Sequence, residues 1–186
     1  MKPLEYYGAN LASLSNYTKV MQVAKFTRIL NMGSALCLAA AAFAQQDAKT
    51  IIQSNYDKVS ALSVKRDKVN LAKLIRKNTS SQFEYIDMMR NSLDLPATVR
   101  QNTEQLSRIF KFNYNSNKII DIRVKGNDLA CKVKTEYDVL MYPDGKVRVT
   151  GMSVSEDIWT KTLMGWKIKR SMILKESTKM NGKPVK

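Results

Sequence analysis

The sequence predicts an α+β domain in which N-terminal helices pack on a mostly antiparallel sheet. The first observation is the stretch 129–168, where apolar and polar side chains alternate and Asp144-Gly145 separates two alternating segments. Period-two alternation is typical of half-buried strands, and Asp-Gly is a frequent hairpin turn. The second observation is that apolar residues recur every three or four positions in the preceding segments, which is typical of amphipathic helices.

Three consecutive strands are predicted within that stretch. The first spans 129–141, the second starts at 147, and Gly165 separates it from a third strand that begins at Trp166. Trp159 and Trp166 stand beside the short connection between the second and third strands. We therefore expect both tryptophans to be largely buried.

The elements before this sheet are predicted from periodicity and turn residues. Helices are expected over 46–61, over 67–77 and from Pro96 onward, the last with a buried stripe of Val99, Leu106, Ile109 and Phe110. Short strands are expected at 82–87 and 118–125, with a loop at 78–81 and a polar turn at 113–117.

The strand pattern resembles the NTF2-like superfamily, and within it the SnoaL-like and DUF4440-type domains. The matching residues are Asp144, Gly145, Asp157, Trp159, Gly165, Trp166, Lys167 and Ile168, and the likeness covers roughly 47–174. The resemblance implies a strongly curved, mostly antiparallel sheet that wraps around the helices as a cone with an internal pocket. Members include isomerases, cyclases, dehydratases, non-catalytic binders and docking domains, so the fold does not define the activity.

An apolar run at 29–44 predicts export. It follows Lys25 and Arg28 and ends in Ala-Phe-Ala at Ala44, which is the layout of a secretory signal peptide. The run is short for a membrane span. The alternative interpretation is a buried or interfacial N-terminal helix.

The predicted domain organisation follows from that run. Residues 1–44 are an upstream extension and signal peptide, 45–174 are an NTF2-like domain, and 175–186 are a polar basic tail that frays. We expect a secreted or periplasmic protein after cleavage near Ala44.

Composition excludes several kinds of chemistry. The 186-residue chain is 44% hydrophobic, which suits one globular domain, and it contains no histidine. Histidine is the usual general base, the partner of nucleophilic serine or cysteine, and a common metal ligand. The sequence therefore predicts no metal site and no cofactor. Cleavage would leave Cys131 without a partner cysteine, and its place in a strand predicts a packed thiol.

Tyr85 and Asp87 are the candidate catalytic residues. They are two positions apart on a predicted strand, so their side chains share one face. A phenol and a carboxylate in an apolar cone could donate and accept a proton. The structural alternative is that Tyr85 is a core residue and Asp87 caps a turn.

The leading functional hypothesis is that an exported domain binds a small, largely apolar molecule in its cone. Candidate pocket residues are Tyr56, Tyr85, Tyr137, Met152 and Trp159. The alternatives are an isomerase- or cyclase-like enzyme that uses Tyr85 and Asp87, and a docking or dimerisation module. The sequence favours a non-catalytic binding domain over an enzyme.

The charge of the chain favours anionic partners. Its formal net charge is +15. No motif for nucleic-acid recognition is present, so no specific nucleic acid is expected. We expect attraction to anionic envelope surfaces, and a homodimer formed through the sheet.

Overall fold

A computed structural model describes residues 45–185. Residues Ala48–Lys186 form one compact unit, and the elements below belong to it apart from the first three residues of the first helix. The predicted signal peptide and Cys37 lie outside the described residues.

Three helices precede most of the sheet. Helix α1 covers 45–64 of the described chain, α2 is Lys68–Asn78, and α3 is Leu95–Arg108. The Asp67 carboxylate accepts from the amide of Asn70 at 3.0 Å, and the Asp94 carboxylate accepts from the amide of Ala97 at 2.8 Å. Such aspartates satisfy amides of the first turn that have no partner within the helix.

The strands form one seven-stranded sheet. Their bounds are Thr79–Ile86 (β1), Ser92–Leu93 (β2), Ile109–Lys125 (β3), Asp128–Met141 (β4), Val147–Thr162 (β5), Gly165–Met180 (β6) and Lys183–Pro184 (β7). Their order is β2-β1-β6-β5-β4-β3, with β7 paired to β6. The pairing of β1 with β6 is parallel and the other pairings are antiparallel. The predicted α+β class is therefore confirmed.

The strands are longer than predicted. The expected polar turn at 113–117 is wrong, because these residues continue β3 and pair with β4. The expected frayed tail is wrong for 175–180, which continue β6 and pair with β5, and for 183–184, which form β7 and pair with β6. The expected loop at 78–81 is also wrong, since β1 starts at Thr79.

The stripe predicted for the third helix is half correct. Val99 and Leu106 are buried, whereas α3 ends at Arg108 and places Ile109 and Phe110 in β3. Phe110 is 43% exposed. The three- and four-residue spacing of apolar side chains thus continues past the end of α3 into the first residues of β3.

The core lies between α1 and one face of β4 and β5, which we call the inner face. Ala48 and Ile52 of α1 form a buried cluster with Leu129, Cys131, Val133 and Trp159. In β4 these are alternate residues, so the predicted alternation is correct there. The sheet and α1 thus bury each other's apolar face.

Gln53 of α1 bonds to the outer strand of the sheet. Its side-chain nitrogen donates to the carbonyl of Asn117 at 2.8 Å, and its side-chain oxygen accepts from the amide of Ile119 at 2.9 Å. β3 has β4 on one side, and Gln53 occupies backbone groups on the other. Helix α1 is therefore fixed to the sheet by polar bonds as well as by the core.

Candidate functional site

The candidate site is a buried polar row on the inner face, centred on Asp157 of β5. The pairing register places Asp157 opposite Cys131 of β4 and Ser171 of β6, and Ser171 opposite Tyr85 of β1. Four strands therefore bring these side chains side by side. Asp157 is 4% exposed.

Asp157 is held by hydroxyl groups. Tyr56 of α1 donates a hydrogen bond to one carboxylate oxygen, and the Ser171 hydroxyl donates to the other at 2.7 Å. Ser155, on the same face of β5, adds a side-chain hydrogen bond. A buried carboxyl is tolerated where its oxygens are bonded in this way.

Trp159 completes the contact with α1. Its indole nitrogen donates to the Tyr56 hydroxyl at 3.0 Å, and the two rings meet edge to face with centroids 5.7 Å apart. The Tyr56 hydroxyl thus accepts from Trp159 and donates to Asp157. These three side chains join α1 to β5.

Burial perturbs the acid–base properties of this row. Loss of solvent raises the pKa of Asp157 above 3.8, although hydrogen bonds from Tyr56, Ser171 and Ser155 oppose the shift. Burial and the neighbouring Asp157 charge raise the pKa of Tyr56 well above 10.0. Burial, with the charges of Asp157 and Asp121, raises the pKa of Cys131 to about 12. The thiol is therefore un-ionised near neutral pH and is a poor nucleophile.

The structure separates the two candidate catalytic residues. Tyr85 lies on the inner face, half-buried, and burial raises its pKa, with the charges of Glu176, Asp87 and Asp157 acting in the same direction. The Asp87 carboxylate instead closes the turn after β1. It accepts from the backbone and side-chain nitrogens of Asn91 at 2.9 and 2.8 Å, and these bonds lower its pKa.

The remaining pocket candidates lie on two faces. Tyr137 of β4 is on the inner face opposite Gly151, and its hydroxyl is 3.3 Å from that of Thr178 on β6. A Cβ on residue 151 would collide with the Tyr137 ring, so this glycine makes room for it. Met152 lies on the opposite face of β5 from Trp159 and Asp157, because their positions differ by an odd number in a regular ladder. It does not share a surface with the other four candidates.

An open groove of about 390 Å³ lies elsewhere, between α1 and α2. It is lined by Lys58, Ala61, Leu62, Asn70, Lys73, Leu74 and Lys77. None of the candidate pocket residues lines it. Among residues 45–185, no group of three or more cysteines and carboxylates is placed to hold a metal ion.

Sequence reasoning missed the centre of this site. The sequence pattern marks Asp157 and Trp159 as a motif and Tyr56 as a pocket residue, but it does not indicate that Tyr56 and Ser171 are the partners of Asp157. The signal in the sequence is an acidic residue, Asp157, that shares a strand face with Trp159, while the residues before it on that face are all apolar or small.

A helix-covered inner face on a mostly antiparallel sheet defines a domain of the NTF2-like fold, and solved structures agree. A conserved protein from Planctomyces limnophilus aligns with a TM-score of 0.56 at 10% identity, covering 72% of this chain and 94% of that chain. An NTF2-like superfamily protein from Salmonella enterica aligns with a TM-score of 0.54 at 14% identity, covering 69% of this chain and 90% of that chain. An NTF2-like protein from Cytophaga hutchinsonii aligns with a TM-score of 0.51 at 10% identity, covering 67% of this chain and 94% of that chain.

These similarities concern the fold. No protein-family model and no curated protein matches the chain. The predicted NTF2-like architecture is thereby confirmed, since identities this low carry information about the backbone and not about a shared activity.

Proposed function

We propose that this protein is an exported NTF2-like domain that binds a small, largely apolar molecule on the inner face of its sheet. We further propose a SnoaL-like or DUF4440-type relationship, which rests on the Asp157-x-Trp159 and Gly165-Trp-Lys-Ile patterns.

The observation that carries the proposal is the perturbed carboxyl of Asp157 beside half-buried tyrosines on one face. Side chains with shifted pKa values collect at functional sites more often than elsewhere. Binding sites for small molecules are mostly apolar with a few polar groups that fix orientation. Tyr85 and Tyr137 supply both aromatic surface and hydroxyl groups on the inner face, while the buried Asp157 holds Tyr56 and Ser171 in place beside them.

Catalysis by Tyr85 with Asp87 receives less support. The oxygens of Asp87 are occupied by Asn91, and a lowered pKa makes this carboxylate a weaker base. A general base needs a free oxygen close to the proton that it removes. We therefore favour binding over proton transfer by this pair.

The binding proposal is tested with N-phenyl-1-naphthylamine, an uncharged aromatic probe whose fluorescence rises in apolar surroundings. We expect saturable binding to the wild-type protein and a loss of at least about tenfold in affinity for Tyr85→Asp, since a buried charge opposes an apolar ligand. Tyr114→Asp is the matched control, because Tyr114 lies on the outermost long strand and is 47% exposed. Absence of saturable binding, or equal losses in both variants, would overturn the proposal.

Export is tested by the mature N-terminus. Mass spectrometry of protein recovered outside the cytoplasm should find a chain that starts near Gln45. A stable full-length chain in the cytoplasm would contradict export.

The docking alternative would use the opposite, outer face of the sheet. Met152 and Val154 of β5 and Met172 of β6 are half-buried apolar residues there. A homodimer through this face predicts a concentration-dependent mass by light scattering that Val154→Lys reduces to the monomer. A mass that is independent of concentration and equal to that of the monomer would remove this alternative.

A further inference from the structure

The β5–β6 hairpin ends in two large apolar residues that pack against nothing. Leu163 is 106% exposed and Met164 is 85% exposed. Because Thr162 pairs with Gly165, Leu163 and Met164 form the whole loop of the hairpin. An exposed Leu-Met pair has no role in the core.

The turn itself does not require these residues. The Thr162 hydroxyl donates to the carbonyl of Gly165 at 2.8 Å and accepts from the amide of Met164 at 3.2 Å, and Gly165 takes the positive φ of 98°. Loops of this length favour asparagine, aspartate and glycine. Polar residues at 163 and 164 would therefore suit the fold at least as well, and the reason for leucine and methionine lies outside the fold.

Basic side chains surround this loop. Lys161 stands on β5, and Lys167 and Lys169 stand on β6. The neighbouring β3–β4 turn adds Lys125, and its Asp128 is 3.6 Å from the Lys169 ammonium. The Lys167 ammonium donates to the carbonyl of Lys77 at the end of α2, whereas Lys125 and Lys161 are exposed. Lysines thus outnumber the one aspartate at this end of the sheet.

The β3–β4 turn extends the apolar surface. Asp128 pairs with Thr160, and Thr160 with Lys167, so both turns lie at the same end of the sheet. Val124, beside the β3–β4 turn, is 65% exposed. Trp166 at the base of the loop is half-buried. Exposed apolar residues next to exposed lysines, with a tryptophan at the base of the loop, form a surface that is complementary to an anionic lipid bilayer.

We propose that this hairpin tip, defined by Leu163 and Met164 with the surrounding lysines, docks the protein on an anionic membrane surface. Leu163 and Met164 enter the boundary between headgroups and acyl chains, while the lysines contact acidic headgroups. In residues 45–185 no helix is long and apolar enough to cross a bilayer, so the described domain would contact the membrane from its surface.

The test measures partitioning of the full chain into vesicles of phosphatidylglycerol and phosphatidylcholine, with phosphatidylcholine vesicles as the neutral comparison. The variant is Leu163→Asn with Met164→Asp, which supplies residues that suit the turn. The matched control is Met88→Asn with Met89→Asp, because Met88 and Met89 are 47% and 85% exposed and the charge change is the same.

We expect the Leu163/Met164 variant to bind anionic vesicles about tenfold or more weakly, and the Met88/Met89 control to bind like wild type, since burial of each apolar side chain contributes to partitioning. Binding should weaken as salt is raised, because headgroup attraction is screened.

A second readout separates the tip from the apolar run at 29–44. Trp159 is 2% exposed, so quenching of tryptophan emission by brominated acyl chains reports mainly on Trp166. We expect quenching in anionic vesicles for wild type and its loss in the Leu163/Met164 variant. Equal partitioning of both proteins without quenching would mean that the apolar run alone holds the chain, and would overturn the proposal. A tip-dependent self-association that vesicles do not alter would overturn it as well.

Discussion

Tyr56 on α1 donates its hydroxyl to the carboxylate of Asp157 on β5, across 101 positions of the chain. The same hydroxyl accepts from the indole of Trp159. One oxygen atom therefore joins the first helix to two residues of the central sheet. Removal of the Tyr56 hydroxyl leaves the buried indole N–H of Trp159 without its acceptor and one buried carboxylate oxygen of Asp157 without its donor.

Tyr56→Phe should destabilise the domain while preserving its shape. The substitution removes the hydroxyl alone, and an unpaired buried polar group costs about 1–3 kcal/mol. Tyr114→Phe is the control, because Tyr114 is 47% exposed on β3. The free energy of unfolding in urea measures both. A change for Tyr56→Phe no larger than that for Tyr114→Phe would show that the bond contributes nothing to stability.

Asp157 should make stability depend on pH in a defined direction. Its pKa is raised in the folded protein, so the folded state binds the proton more tightly than the unfolded state. This contribution is fully present below the usual pKa of 3.8 and is lost as pH rises through the higher folded value. Asp157→Asn removes the titration.

The measurement is therefore a difference between two proteins. From about pH 3 to about pH 8, unfolding in urea should show Asp157→Asn gaining stability relative to wild type. Carboxylates with lowered pKa values, such as the half-buried Asp138 and the exposed Asp144, act in the opposite direction but occur in both proteins. A constant difference across this range would contradict a raised pKa at Asp157.

The two tryptophans should differ in their contribution to stability. Trp159 is 2% exposed and in the core cluster, which agrees with the sequence prediction, whereas Trp166 is half-buried and packs against that cluster from outside. Trp159→Ala should cost about 3–5 kcal/mol, and Trp166→Ala about 1–2 kcal/mol. Urea unfolding measures the free energy of unfolding of both variants. Equal losses of stability would contradict the deeper burial of Trp159.

Cys131 should resist alkylation in the folded protein. It is fully buried, and its pKa of about 12 leaves little thiolate near neutral pH. Iodoacetamide followed by mass spectrometry of the peptide that contains Cys131 should show modification in denaturant and almost none without it. Rapid labelling of the native chain would contradict the packing of α1 over β4.

The sequence predicted the strands where burial produces alternation. In β4, alternate residues at 129, 131 and 133 meet α1, and the pattern is clear. It fails where long strands run beyond the helices, as at 113–117 and 175–180. Those segments are polar because at most one of their faces is covered, so pairing with the neighbouring strand, rather than burial, determines their conformation.

The candidate site was less predictable than the fold. Local spacing placed Tyr85 and Asp87 on one strand, but the chain turns at Asp87, and its carboxylate bonds to Asn91. The row of Cys131, Asp157, Ser171 and Tyr85 arises from the register of four strands. No short-range pattern contains that register, since it is determined by hairpin turns and by a parallel pairing distant in sequence.

The contact between Gln53 and β3 also bears on how the protein avoids polymerising. A long strand at the border of a sheet offers free amides and carbonyls to any extended chain, and unprotected borders nucleate aggregates. The Gln53 amide resembles a peptide group and fills one such pair of positions, at Asn117 and Ile119. Gln53→Leu would keep much of the side-chain volume but free both groups for a second chain. Helix α1 thus protects this part of the β3 edge, and its detachment would expose the amide of Ile119 and the carbonyl of Asn117 to pairing with a second chain.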